Sequence, residues 1–351
     1  MSVRFFLGAN SGDGFYSLYD NFACAPGDRL HLIKAGPGCG KSTFMKKLAS
    51  RAEEQGFTVE YILCSGDPES LDGVYIPALH LGLADATAPH ILEPRLFAID
   101  SCYVNLGQFC SSFKSEKANE YTAKYRQLYK TAYGFLSAAK TIRKIQIPEL
   151  ICKNDVVSAK KRAESALLRE LGKKHGSPRE GRITKRFIRG ISCIGEVCLS
   201  GTVSALCKRI YLADDRLGLA DAYLKHIADG VAERGENAVV CPSPLCPDEL
   251  DAVLLPNHAL GFVSASAMQL KDPWRHVRLD ALVAPETVRT HKSELKALEK
   301  QYRSLLDGGV GYLKQAKKYH DLLECEYRPY VDFAALTEFT ESETVKLITL
   351  T

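Results

Sequence analysis

The residues of this chain are written twice, and that limits its fold more than any other feature. "PESLDGVYIPALHLG" at 68–82 returns as "PDELDAVLLPNHALG" at 247–261, an offset of 179. "YRQLYKTAYGFLSAAK" at 125–140 returns as "YRSLLDGGVGYLKQAK" at 302–317, an offset of 177, and "RFFLG" at 4–8 returns as "RFIRG" at 186–190. Three blocks in one order at nearly one spacing read as a tandem duplication of about 175 residues rather than as chance.

Each copy opens with short apolar runs interleaved with one amphipathic helix, the pattern of an α/β domain. Each closes with helix. In the first copy Tyr121, Tyr125, Leu128, Ala132, Phe135, Ala139 and Ile142 recur at heptad spacing, and Leu298, Tyr302, Leu305, Gly309, Tyr312, Ala316 and Tyr319 repeat it in the second. We therefore expect an α/β fold made of two P-loop-like domains, 1–183 and 184–351, each a mostly parallel sheet flanked by helices. Each carries a helical hairpin, about 110–172 in the first and about 285–325 in the second. The hairpins are expected to pack on their own domain or on each other; such a seam also offers a way to pair with a protein partner or a second copy of the chain. The basic junction "GKKHGSPREGRITKRFIR", with its Gly and Pro, reads as a solvated linker.

At 351 residues the chain suits two domains, and a net charge of +4 admits an acidic ligand such as a nucleotide without arguing for a nucleic-acid groove. No apolar run approaches bilayer length, and "MSVRFFLGANSGDGF" places a Gly/Asp turn where a signal peptide needs an apolar core. A cytoplasmic location without membrane insertion is expected. The twelve cysteines form no C-x-x-C pair, so reduced thiols are expected rather than zinc ligands.

"KAGPGCGKSTFMKK" at 34–47 carries the chemistry. "RLHLI" before it reads as a buried strand, and 41–55 after it as a helix with Met45, Leu48, Ala49 and Ala52 on one face. Between them Gly36, Pro37, Gly38, Cys39, Gly40, Lys41, Ser42 and Thr43 form a Walker A loop with Ala35 in place of the first glycine. The glycines let successive amides turn toward phosphate, and the helix N-terminus adds its partial positive charge. Lys41 reaches the β- and γ-phosphates, and the Ser42 hydroxyl is a ligand for Mg²⁺. Cys39, beside a helix N-terminus, is expected to have a lowered pKa.

A second metal-side group is expected at the end of a neighbouring strand: Asp85, closing "LGLAD", with Asp100, closing "LFAID", as the alternative. Asp67 in "CSGDPESLDG" is a further carboxylate placed to act on the attacking group. Asp72 has a counterpart, Asp251, in the second copy, which points to a structural role in capping or turn formation. His90 is a candidate contact to phosphate or base. In the second copy Lys41 falls on Ala220 and Ser42 on Asp221, or on Leu219 and Ala220 if the register moves by one; Asp85 is matched by Ser264, and Asp214 and Asp215 would repel a triphosphate. That half is expected to keep the fold without the site.

The stretches "GPGCGKST", "CSGDPESLDGVYIP" and "DATAPH" resemble an uncharacterised bacterial family of duplicated P-loop ATP-binding proteins, described as predicted nucleoside triphosphatases. The resemblance spans essentially the whole chain and implies an intact loop in each half, from which the second half departs. The expectation is an Mg²⁺-dependent ATPase in which Lys41, Asp85 and Asp67 serve the reaction and Ser42 and Asp85 the metal. The second half would cover the site or supply an arginine, with Arg216 as the candidate. A P-loop kinase acting on a small molecule or nucleotide, and a nucleotide-gated binder without turnover, are the competing readings.

Overall fold

The computed structural model describes residues 2–88, 92–174 and 181–349, so His90 and the middle of the basic junction lie outside it. The first half runs β1 (Val3–Phe6), β2 (Gly8–Ser11), β3 (Gly14–Ser17), β4 (Arg29–Lys34), α1 (Lys41–Glu54), β5 (Glu60–Leu63), β6 (Leu71–Ile76), β7 (Leu81–Asp85) and β8 (Ser101–Asn105). Helices α2 (Glu116–Arg143) and α3 (Lys153–Leu171) follow. The second half runs β9 (Ile183–Lys185), β10 (Arg189–Ser192), β11 (Gly195–Cys198), α4 (Ser200–Leu206), β12 (Arg209–Ala213), α5 (Ala220–Ala232), β13 (Ala238–Pro242), β14 (Leu250–Leu255), β15 (Leu260–Ser264) and β16 (Arg275–Val277). It ends with α6 (Pro285–Thr290), α7 (Lys292–Tyr327) and α8 (Phe333–Thr349). The boundary expected between residues 183 and 184 thus falls inside β9.

Two six-stranded sheets have the same order, β1-β5-β6-β7-β4-β8 and β9-β13-β14-β15-β12-β16. Both are mixed rather than wholly parallel. β5–β6 and β6–β7 are antiparallel, as are their counterparts β13–β14 and β14–β15, and the other pairings are parallel. Even the irregularities recur: the register shifts at Ile62/Leu63 and again at Cys241/Pro242. His80 and Ala259 take the same left-handed φ of 48° one residue before β7 and β15. Helices lie against these sheets, so every residue of β7, "LGLAD", is buried.

The halves meet through reciprocal contacts. Phe6 N donates to Phe187 O at 3.0 Å and Phe187 N to Phe6 O at 2.9 Å. Likewise Gly12 N donates to Leu245 O at 3.0 Å and Cys193 N to Gly66 O at 3.3 Å. Paired contacts of this kind relate the halves by an approximate two-fold. They also correct the sequence register by one residue: Phe6 matches Phe187, where "RFFLG" over "RFIRG" had set Arg4 on Arg186.

The helices are exchanged between the halves. α2 and α7 run antiparallel along the heptad seam, with Tyr121 against Tyr319 and Phe135 against Tyr312 at ring distances of 6.1 and 5.4 Å. Gly309 lets them close, since a Cβ there would stand 2.9 Å from Leu136 Cδ2. Neither appendage is the hairpin expected from the sequence: α7 is a single 36-residue helix, and α2 packs on α7 while α3 leaves it for the second half, so the two copies pair through one helix each and the seam is filled within one molecule. α3 then continues onto α5, burying Ala159, Ala163, Ala166 and Leu167 in the second half's core. α8, beyond the appendage read from the sequence, returns to α1, putting Leu336, Leu347 and Ile348 into the first half's core and stacking Phe339 on Phe44.

Candidate functional site

β4 delivers the chain to loop 35–40, and α1 begins at Lys41. Gly38 and Gly40 take φ of 68° and 79°, the left-handed region in which a side chain is strained. Phe44, Met45, Leu48, Ala49 and Ala52 bury one face of α1 and fix its N-terminus at the loop. The Lys41 ammonium folds back over the loop, donating to the Ala35 and Gly36 carbonyls at 3.1 Å each. It lies 3.6 Å from Asp85 Oδ2, at the end of β7. The other Asp85 oxygen accepts from the amide and hydroxyl of Thr87 at 2.8 and 2.6 Å, which holds the carboxylate facing Lys41. Ser42 Oγ accepts from Leu71 N at 3.0 Å. Thr43 is exposed on the first turn of the helix. A serine hydroxyl and a carboxylate are the hard-oxygen donors that Mg²⁺ takes.

The other acidic candidates separate. "LFAID" is an exposed segment before β8 instead of a strand: Leu96, Phe97 and Ile99 are all exposed. The Asp100 carbonyl accepts from Leu30 N, so this residue lies at the start of β4, whereas Asp85 pairs with Ile33 near its end. Asp100 is therefore at the wrong edge of the sheet for the loop. Asp67 does stand on the loop side. Its carboxylate accepts from Glu69 N at 3.3 Å and Ser70 Oγ at 3.2 Å, and Lys317 of α7 approaches it to 3.4 Å. Asp72 and Asp251 are buried residues within β6 and β14 and neither caps a helix nor forms a turn. Asp72 lies beside Tyr19 and Cys64, whereas Asp251 pairs with Arg189.

Sequence reasoning expected the second half to cover the loop but named neither α7 nor α8 for it. A Cβ on Gly36 would stand 2.6 Å from the Tyr327 ring, one on Gly38 3.2 Å from Glu324, and one on Gly40 2.8 Å from Leu336. Lys317, His320, Glu324 and Tyr327 follow one another at helical spacing along the face of α7 that meets the first half. The sequence expectation that the second half covers the loop is met by this helix. Arg216, the residue named for it, remains in the second half, mostly exposed and 4.0 Å from Asp280. His320, Asp321 and Glu324 bring their ligand atoms within 4.8 Å of one another. Lys317 already pairs with Asp321, and Glu324 lies 3.6 Å from the His320 ring, so these groups are engaged with one another and we do not read them as a metal site.

The Cys39 thiol is not activated. Burial, followed by the neighbouring Cys110 thiol, pushes its pKa up to about 11, against the lowering that a helix N-terminus would cause. At neutral pH, alkylation of Cys39 should run about a hundredfold slower than that of an ordinary exposed thiol. Mass-spectrometric labelling checks this against Cys24, Cys152 and Cys325, which are exposed.

In the second half Asp221 Oδ1 accepts from Leu250 N at 3.0 Å, as Ser42 does from Leu71 N, which fixes the match of Lys41 with Ala220. Asp215, one of the two aspartates that replace the loop, is satisfied internally. Asp215 Oδ1 accepts from Ala220 N at 3.3 Å, and its Oδ2 accepts from Ser264 Oγ at 2.9 Å and meets Arg143 at 3.3 Å. Here α2 stops at Arg143 whereas α7 runs on to Tyr327, and a cavity of 1990 Å³ is lined by Arg143, Arg189, Asp215 and Asp221. Comparison with protein-family models, curated proteins and solved structures finds no match. Among the described residues, no helix is long and apolar enough to cross a membrane.

Proposed function

We propose that the first half binds the phosphates of a nucleoside triphosphate, with ATP as the simplest candidate, and that the protein hydrolyses it. The supporting observation is Lys41, held over a glycine loop between a buried parallel strand and a helix N-terminus and facing Asp85 at 3.6 Å. On this reading the loop is a P-loop and the two halves are a duplicated P-loop domain, as in the bacterial family the sequence resembles. Loop amides and Lys41 hold the phosphates. Ser42 and Asp85 would hold Mg²⁺, which when bound offsets phosphate charge. Asp67, paired with Lys317 in the loop between β5 and β6, would act on the attacking group. The second half keeps the topology, fills its loop with Asp215, and contributes α7 as the cover.

Phosphate release from Mg-ATP, measured on the purified protein and on Lys41→Ala, tests this. We expect release by the parent and a loss of about a hundredfold or more in the variant. ATP binding that depends on Lys41 but gives no release would move the reading to a gated binder, and ADP formed only with an added acceptor would move it to a kinase. No Lys41-dependent binding would overturn it.

A further inference from the structure

The second half carries an anion of its own at the place where the first half is read as holding phosphate. The Asp215 carboxylate lies at the first turn of α5, bonded to the Ala220 amide at 3.3 Å and to the Ser264 and Ser266 hydroxyls. The cation that meets it comes from the other half. It is Arg143, the last residue of α2, 3.3 Å from Asp215 Oδ2. A carboxylate at a helix N-terminus, clamped by a cation from the opposite half, is the arrangement a bound phosphate would need.

The coiled seam supplies the matching residue in the first half. Ala132, Leu136 and Ala139 of α2 are buried in the seam, as are Gly309, Leu313 and Ala316 of α7, each pair 177 residues apart. The same step carries Arg143 to His320. His320 is half-buried on the face of α7 that sets Glu324 against Gly38 and Tyr327 against Gly36.

We propose that His320, supplied by the second half, is a phosphate-contacting residue of the first half's nucleotide site and binds as the imidazolium. This rests on the nucleotide reading above. Charged and aromatic groups from α7, the loop and α2 face the ring. Glu324 lies 3.6 Å from Nδ1, Lys317 and Asp321 flank it on α7, Lys41 faces it from the loop, and the Tyr125 ring of α2 is 5.5 Å away. Burial lowers the pKa of the unliganded ring; Glu324 and Asp321 raise it, and Lys317 and Lys41 lower it further. A polyphosphate adds negative charge and favours the protonated ring, so binding takes up a proton. Affinity is then greatest at acid pH and falls as pH rises through the pKa of the complex.

The test is binding of a Mg-loaded, non-hydrolysable ATP analogue between about pH 5.5 and about pH 8.5 by the parent, His320→Ala and His320→Arg. The parent should lose about tenfold in affinity across this range. His320→Ala should bind weakly with a flat profile, and His320→Arg, which copies Arg143, tightly with a flat profile. Any titration of the ligand itself would persist in both variants, which separates it from that of the ring. A parent profile that survives in both variants, or unchanged affinity in both, overturns the assignment. Lys41→Ala serves as the companion. If the parent does not bind, or binds equally without Lys41, the nucleotide reading itself fails; if Lys41 matters and His320 does not, only the present inference fails.

Discussion

Asp251→Ala should cost about 3–5 kcal/mol of stability, read as a lowered urea midpoint. Asp251 is buried within β14 and makes a two-point bond to Arg189, Nε to Oδ2 at 2.8 Å and Nη2 to Oδ1 at 3.0 Å. Burial works against both charges. It raises the Asp251 carboxyl, which Arg189 draws back; it also opposes the Arg189 cation, which Asp251 more than restores. Removing the carboxylate leaves the guanidinium with Glu196 at 3.3 Å and with the Ser266 carbonyl, neither replacing a bidentate partner. The double replacement Arg189→Met with Asp251→Leu should recover most of the loss, because an apolar pair of similar volume has no desolvation penalty to offset. A loss below about 1 kcal/mol in the single variant would show that Glu196 alone suffices.

Phe6→Ala should cost about 3–5 kcal/mol, and both halves should still unfold together. Phe6 is fully buried where the halves meet, its backbone bonded reciprocally to Phe187 and its ring against Gly190, where a Cβ would stand 3.1 Å from it. Truncation empties a site shared by the two halves, and the exchanged helices α3 and α8 tie each core to the other half. The single tryptophan, Trp274, lies in the second half just before β16. Its fluorescence should therefore shift at the same denaturant concentration as the far-UV circular dichroism of the whole chain. Separate transitions would mean that the halves are independent units joined only by contact.

Much of the architecture was legible because the repeated blocks of the sequence report their own alignment, and the two sheets have the same strand order. β4, α1 and β7 appear where the apolar runs and the helical face of Met45, Leu48, Ala49 and Ala52 placed them. "LFAID" misled because an apolar composition was taken for a strand, whereas Leu96, Phe97 and Ile99 are exposed. Cys39 misled because position beside a helix N-terminus was weighed without burial and without Cys110. The exchange of α3 and α8 could not be read. Their apolar faces state that they must be buried, and α5 and α1, which offer the matching faces, occupy equivalent places in the two halves. For the same reason nothing near loop 35–43 pointed to Lys317, His320 or Tyr327, which arrive from some 280 residues away. One signal did exist: the 177 offset that set Tyr302 on Tyr125 also sets His320 on Arg143.

The exchange of helices also orders events during synthesis. A domain whose parts are contiguous can close as it leaves the ribosome, but the first sheet is finished at Asn105 and its cover α8 begins at Phe333. At ordinary elongation rates the nascent chain carries the uncovered face of α1 for roughly ten to forty-five seconds. Throughout that interval Phe44 and its apolar neighbours lack Leu336 and Phe339 and are exposed to other nascent chains and to chaperones. The half that carries loop 35–40 is made first and can be completed only last.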